Sequence, residues 1–251
     1  MGYATFDGYN SFSEYYDTLM QNVGYPDRAR YIIDVFTRLD HDMGLSLDLA
    51  CGTGSLTVEL KKLGIDIYGV DASYDMLSYA RQKAVENDLD ILFLCQKMQS
   101  LDLYGTIDTC ICTLDSINHL TRLEDVQKTF DKVSLFMNKG GYFLFDVNSV
   151  YKHKEVLADN TFVYDTEDVF CVWQNSLKEN NIVNIELDFF EREGDVYYRM
   201  SEEFSERAYT DEELSKMLKK AGLEVVRRFG DMTFESPKKD EQRIIYIARK
   251  K

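Results

Sequence analysis

The stretch "LSLDLACGTGSLTVEL", Leu45 to Leu60, is a short apolar strand that breaks into a glycine turn and resumes as a helix. Gly52 and Gly54 sit where backbone must come close to something, and a carboxylate, Asp48, stands just ahead of them. Turns of this kind commonly receive phosphates, because bare N–H groups and a helix N-terminus attract anions. A carboxylate in the same crevice repels them. A dinucleotide-binding turn also needs a third glycine or an alanine, and Thr57 occupies that place.

Outward from this turn the chain alternates strand and helix. Pro26 opens a helix through about Leu39. After the glycine turn come strand "DIYGVD", helix "YDMLSYARQKAVEN", strands "DILFLC" and "IDTCICTL", helix "RLEDVQKTFDKVSLFM" and strand "GYFLFDV". Short strands rich in Ile, Leu, Phe and Val between amphipathic helices predict a doubly wound, mostly parallel sheet covered on both faces. Past Asn148 a short basic helix leads into long alternating runs, "DVFCVWQNSL", "NIVNIELDFFERE" and "VYYRMSEEFSERA", separated by the turns "KENN" and "EGD". These predict an antiparallel meander of about three strands. Thr210 and Glu213 form a capping box for helix "DEELSKMLKKA", Gly222 ends it, and strands "LEVVRRF" and "QRIIYIARK" close the chain, making seven strands outside the meander. The core is therefore residues 1–150 plus 207–251, and 151–206 is a small antiparallel β insert.

The chain has 251 residues and a formal charge of −15, which opposes a nonspecific grip on nucleic acid. No apolar run approaches the roughly 20 residues that span a bilayer, and the N-terminus lacks the basic and apolar regions of a leader, so a cytoplasmic protein is expected. Of five cysteines, Cys51, Cys95, Cys110 and Cys112 lie in or beside apolar runs and read as reduced, buried thiols. Cys110 and Cys112 share a strand side, but no second Cys or His pair stands at finger spacing, so no metal is expected.

A ligand without phosphate but with an amino-acid ammonium satisfies both features of the turn. Asp48 meets the ammonium, and the N–H groups of the turn take its carboxylate. S-adenosylmethionine is such a ligand. Asp71, at the end of "DIYGVD", stands where an acidic residue meets a ribose diol.

The segments "LDLACGTGSLT", "GVDASYDML", "CTLDSINHL" and "GGYFLFDVNS" together resemble the class I S-adenosylmethionine-dependent methyltransferases, in particular small bacterial members with an antiparallel insert after the fifth strand. The resemblance implies a Rossmann-like fold. It gives Asp48 and the turn from Ala50 through Gly52 to Gly54 to the methionine end, Asp71 to the ribose, Met76 and Met98 to the adenine, and Leu114 with Asp115 to the floor beneath the methionine. A tyrosine of the N-terminal segment, Tyr16 or else Tyr9, would fold over the cofactor. Where the family has an acidic residue near the adenine amino group, this chain has Lys97, which cannot accept from it, leaving Gln96 or Gln99 as acceptors. Each assignment has a plainer alternative: Met76 as core, Asp71 as a helix cap, Asp115 and Ser116 as turn residues, and Asn118 and His119 as packing.

The expected reaction is in-line methyl transfer to a small-molecule or protein nucleophile, with His119, Asn118 and Tyr16 as candidate catalytic residues. The chain has "TLDSIN" where methyltransferases of planar amino groups carry an Asn/Asp-Pro-Pro-aromatic motif, which together with the acidic charge favours a small-molecule acceptor. The insert, dense in Phe170, Trp173, Phe189, Phe190, Tyr197 and Tyr198, reads as a lid on the acceptor side, or else as a homodimer surface. A non-catalytic S-adenosylmethionine sensor and, further off, a nicotinamide-dependent oxidoreductase are the alternatives.

Overall fold

The computed structural model describes residues 23–165, 169–194 and 196–251. Tyr9 and Tyr16 lie outside them. Helix α1, Tyr25–Arg38, carries Pro26 in its first turn and buries Ala29, Ile32, Val35 and Phe36, spaced three and four apart. Strand β1, Ser46–Leu49, runs through the glycine turn into α2, Ser55–Lys62. Then follow β2, Ile67–Asp71; α3, Tyr74–Glu86; β3, Phe93–Cys95; β4, Ile107–Cys112; α4, Leu123–Phe136; and β5, Met137–Asn148. After the insert come α5, Asp211–Lys220, with the expected Thr210–Glu213 capping box, then β10, Leu223–Gly230, and β11, Arg243–Lys250.

The main sheet has seven strands in the order β10-β11-β5-β4-β1-β2-β3. Strand β11 runs antiparallel to both neighbours, while β5, β4, β1, β2 and β3 are mutually parallel. Alternation along β5 separates two cores. Phe143, Phe145 and Val147 pack with α4 and α5, and Tyr142 and Leu144 pack with α1 and α2. Burying both faces explains why these strands read as near-continuous apolar runs. The order reverses between β1 and β4, so their carboxyl ends border the crevice where open sheets of this type bind ligands.

Between β5 and α5 the chain forms a short wide helix, Lys152–Leu157, and a second sheet of four strands: β6, Thr161–Asp165; β7, Val169–Leu177; β8, Ile182–Glu193; and β9, Val196–Arg207. The expected three strands are joined by β6, whose mostly exposed residues hide the alternation that marks a strand. This sheet has its own core, with Val169, Cys171, Ile185, Leu187 and Phe189 against Leu157. Cys110 and Cys112 are buried as expected, but Cys95 is exposed, because its strand is the sheet's edge and ends there. No helix among the described residues is long and apolar enough to cross a membrane.

Candidate active site

The two glycines of the opening turn have different reasons to be glycine. Gly54, at φ 72°, would place a Cβ 2.7 Å from that of Ala80, so it allows α2 and α3 to approach. Gly52, at φ 54°, would meet nothing within 4 Å. Its open side faces the crevice, and its N–H donates to Asp71 Oδ2 at 2.8 Å. Asp71 Oδ1 accepts from the Ser73 N–H, also at 2.8 Å, and it is Ser73 that caps α3 by accepting from the Met76 N–H. The Ala72 N–H also acts on this carboxylate. Burial raises the carboxyl above its ordinary range, opposed by these backbone hydrogen bonds.

Asp48 is 2 % exposed, and its only hydrogen-bond donor among the described residues is the Thr57 hydroxyl, 2.5 Å from Oδ2. Thr57 is the residue that stands in place of the third glycine, so the departure from the dinucleotide pattern orients the carboxylate. Burial pushes the Asp48 carboxyl up to about 7. Among the described residues this buried carboxylate has one neutral donor and no cation beside it.

A cleft joins Asp48, Ala50, Gly52 and Thr53 with Tyr25, Thr113, Leu114 and Ser116. Ala50, Leu114 and Asp115 adopt left-handed backbone at φ 60°, 58° and 55°. For side chains bearing a Cβ this costs about 1 kcal/mol or more each, and such positions cluster at functional sites. Two wider clefts, one against Tyr68 and Tyr104 and one against His41 and Ile65, lie at the opposite edge of the sheet and hold none of these residues.

The strain at Leu114 and Asp115 is held by a residue that the sequence reading passed over. Asp146, fully buried near the end of β5, accepts from the Leu114 N–H at 2.9 Å and the Asp115 N–H at 2.7 Å. Arg243 of β11 donates to Asp146 and to the Asp115 side chain, both at 2.6 Å, and Arg28 of α1 lies 3.6 Å from Asp146. Burial alone would raise the Asp115 carboxyl, but Arg243 and then Lys152 overcome it and hold it well below the carboxylate range. Asp146 was visible in "FDVNS" as a charge closing an apolar strand. Arg243 carried no such mark.

Beyond Asp115 the loop meets the insert. Asn118 is fully buried, its amide donating to the carbonyls of Asn148, at 3.1 Å, and Arg207, at 2.9 Å, while its Oδ1 accepts from the Asn148 N–H. It ties the carboxyl ends of β4 and β5 to the end of β9, and no donor remains for an acceptor molecule. Asn148 donates to Asp115 Oδ2 and to Glu206 Oε2. His119, 42 % exposed, stands with Nε2 3.7 Å from Glu206 Oε1. Glu206 was unmarked among the many acids of β9.

Met76 is buried at the start of α3, and Met98 is partly buried in a one-turn helix packed on the main core. Lys97 is exposed. Gln96 is closed onto Asp102 by two hydrogen bonds, its Oε1 accepting from the Asp102 N–H and its amide donating to the Asp102 carbonyl.

Residues 47–141 match the family model of a methyltransferase domain. Over 244 residues the chain is 34 % identical to a protein of Bacillus subtilis (strain 168) named "Putative methyltransferase YqeM", covering 96 % of this chain and 97 % of that one. The crystal structure of an S-adenosylmethionine-dependent methyltransferase from Clostridium acetobutylicum ATCC 824 superposes with a TM-score of 0.89 at 35 % identity, over 96 % and 98 % of the two chains. S-adenosylmethionine-bound CalS10 of Micromonospora echinaspora, described as an amino pentose methyltransferase, shares the fold at a TM-score of 0.77 and 16 % identity, over the full length of both chains. With its Rossmann-like sheet and its glycine turn, the chain belongs to the S-adenosylmethionine-dependent methyltransferases. It is an enzyme of that class, and S-adenosylmethionine is its cofactor.

Proposed function

We propose that the protein transfers the cofactor's methyl group to a small-molecule nucleophile seated between the β4 loop and the insert. The observation that carries this reading is the meeting of Asp115 and His119, from the loop after β4, with Glu206 of β9, beside the cleft at the carboxyl edge. Asp48 holds the cofactor's ammonium, the N–H groups of the Ala50–Gly54 turn hold its carboxylate, and Asp71 takes the ribose hydroxyls. Leu114 and Asp115 floor the methionine end, and Met76 and Met98 flank the adenine.

When bound, the cofactor supplies an electrophilic methyl on a sulfonium, so the chain needs no nucleophile of its own. Its residues orient the acceptor, exclude water and hold a proton. Asn118, committed to backbone, acts as a positioning residue. His119, exposed on one side, is the candidate for passing a proton to solvent. CalS10 offers one instance of a small acceptor on this fold.

Affinity for the cofactor should depend on pH through Asp48. The bound form needs the carboxylate, whereas below about pH 7 the free protein carries a proton there. Calorimetry should show affinity falling as pH drops below 7, by up to about tenfold per unit, with about one proton released on binding at pH 6. The sign for stability is opposite to that of an ordinary paired Asp. A raised folded-state value makes the free protein less stable as pH rises from about 4 to 7, and bound cofactor removes that loss. Flat affinity between pH 5.5 and 7.5 would contradict the role of Asp48.

The acceptor reading is tested with S-adenosylmethionine and a bacterial metabolite extract. Mass spectrometry should find a small molecule that gains one methyl as S-adenosylhomocysteine forms in equal amount. Because the insert has its own core, replacing 151–206 by a glycine-serine linker should keep S-adenosylhomocysteine binding and abolish that product. Undiminished turnover without the insert, or methylation of protein alone, would refute the reading.

A further inference from the structure

We propose that Glu206, with His119 and Asp115, forms a cradle for a protonated amine, and that the acceptor is therefore an amine methylated on nitrogen. This rests on the small-molecule reading above and names its class. One acceptor atom from each of the three residues lies within 4.8 Å of the other two. Three atoms so spaced always share a point within about 2.8 Å of all of them, which is hydrogen-bond distance for an ammonium nitrogen with three protons to give.

The charges around the cradle single out Glu206. Asp115 is neutralised by Arg243 at 2.6 Å. Glu206, 4 % exposed, has no Arg or Lys within ion-pair distance among the described residues. Its contacts are the Asn148 amide at 3.1 Å and two imidazoles at 3.6 and 3.7 Å. Lys152, which feels the Glu206 charge, is held by Asn148 Oδ1 at 2.9 Å and lies beyond ion-pair distance, so a cation in direct contact with Glu206 comes from outside.

A second, independent feature points the same way. His153 is fully buried, and its Nδ1 lies 2.9 Å from the Asn181 carbonyl, which fixes a proton on that nitrogen. Its Nε2 has no hydrogen-bond partner and faces Glu206 Oε2. Nε2 and the carboxylate thus face each other without a hydrogen bond, and one proton placed between them satisfies both. An acceptor ammonium has one to lose. It gives that proton to the Glu206–His153 pair, and its freed lone pair forms the bond to the methyl carbon. The carbon–sulfur bonding electrons stay on sulfur, whose positive charge passes to the methylated nitrogen. His119 then relays the proton from Glu206 to solvent.

The test uses sinefungin, an analogue of the cofactor in which an amine-bearing carbon replaces the sulfonium and its methyl, so that an ammonium points toward the acceptor. Its affinity is compared with that of S-adenosylhomocysteine, which lacks the amine. In the wild-type protein sinefungin should bind more tightly. Glu206→Gln should cost sinefungin about tenfold while leaving S-adenosylhomocysteine within twofold, because a charge-assisted hydrogen bond is lost on one ligand only. Glu206→Asp, which keeps the charge, should retain part of the preference and serves if the Gln variant is poorly folded. Equal affinities in the wild type, or an equal loss on both ligands in the variants, would overturn the amine cradle. Failure of the small-molecule reading would show separately, as a macromolecular product in the extract assay.

Discussion

Asp146→Ala should lower the unfolding free energy by about 3–5 kcal/mol, the range seen when one partner of a buried ion pair is removed. The carboxylate is fully buried and serves four groups at once: Arg243, Arg28 and the backbone N–H groups of Leu114 and Asp115. Alanine leaves a buried guanidinium without one of its two carboxylates and two amides without an acceptor. It also frees two residues held at left-handed φ to relax. Urea unfolding should show a lower midpoint at an unchanged m-value, since the surface exposed on unfolding hardly changes. Cofactor affinity should fall in the same variant through the loosened floor of the cleft. A loss below about 1 kcal/mol would mean that water or a rearranged Arg28 replaces the carboxylate, and the network would not be what holds the turn.

The same network shows where sequence reading succeeds and where it stops. The sheet was legible because doubly buried parallel strands are apolar throughout and helices repeat at three and four, both local signals. Asp48 and Asp71 were legible because they stand at fixed offsets from a turn marked by two glycines. Thr57 was noticed for what it is not, a third glycine, while its hydroxyl contact with Asp48 needed coordinates. Arg243 and Glu206 reach the site from 128 and 91 positions beyond Asp115, and no periodicity connects them to it. His153 lies in the short basic helix past Asn148, and only its burial reveals its orphaned nitrogen. Strand β6 was missed for a related reason: its burial is too slight to imprint an alternating pattern.

Asp71→Ala should weaken S-adenosylhomocysteine binding by about 1.5–3 kcal/mol, through loss of charge-assisted hydrogen bonds to the ribose. The structure complicates that expectation. Asp71 already accepts from Gly52 and Ser73, so the variant also unfastens the glycine turn from β2 and the start of α3. A fall in affinity alone therefore does not separate a ribose contact from a loosened turn. The separation comes from pairing the variant with 2′-deoxy-S-adenosylhomocysteine in a double cycle. If Asp71 meets the diol, removing the 2′-hydroxyl should cost the wild type about 1–2 kcal/mol and the variant almost nothing, because the partner is already gone. If Asp71 acts only by fastening the turn, the two losses should add. The place of Asp71 at the carboxyl end of β2, beside a glycine whose open side faces the crevice, favours the first result. Additive losses would move the ribose contact to another residue and leave Asp71 as the latch that holds the Gly52 N–H in place.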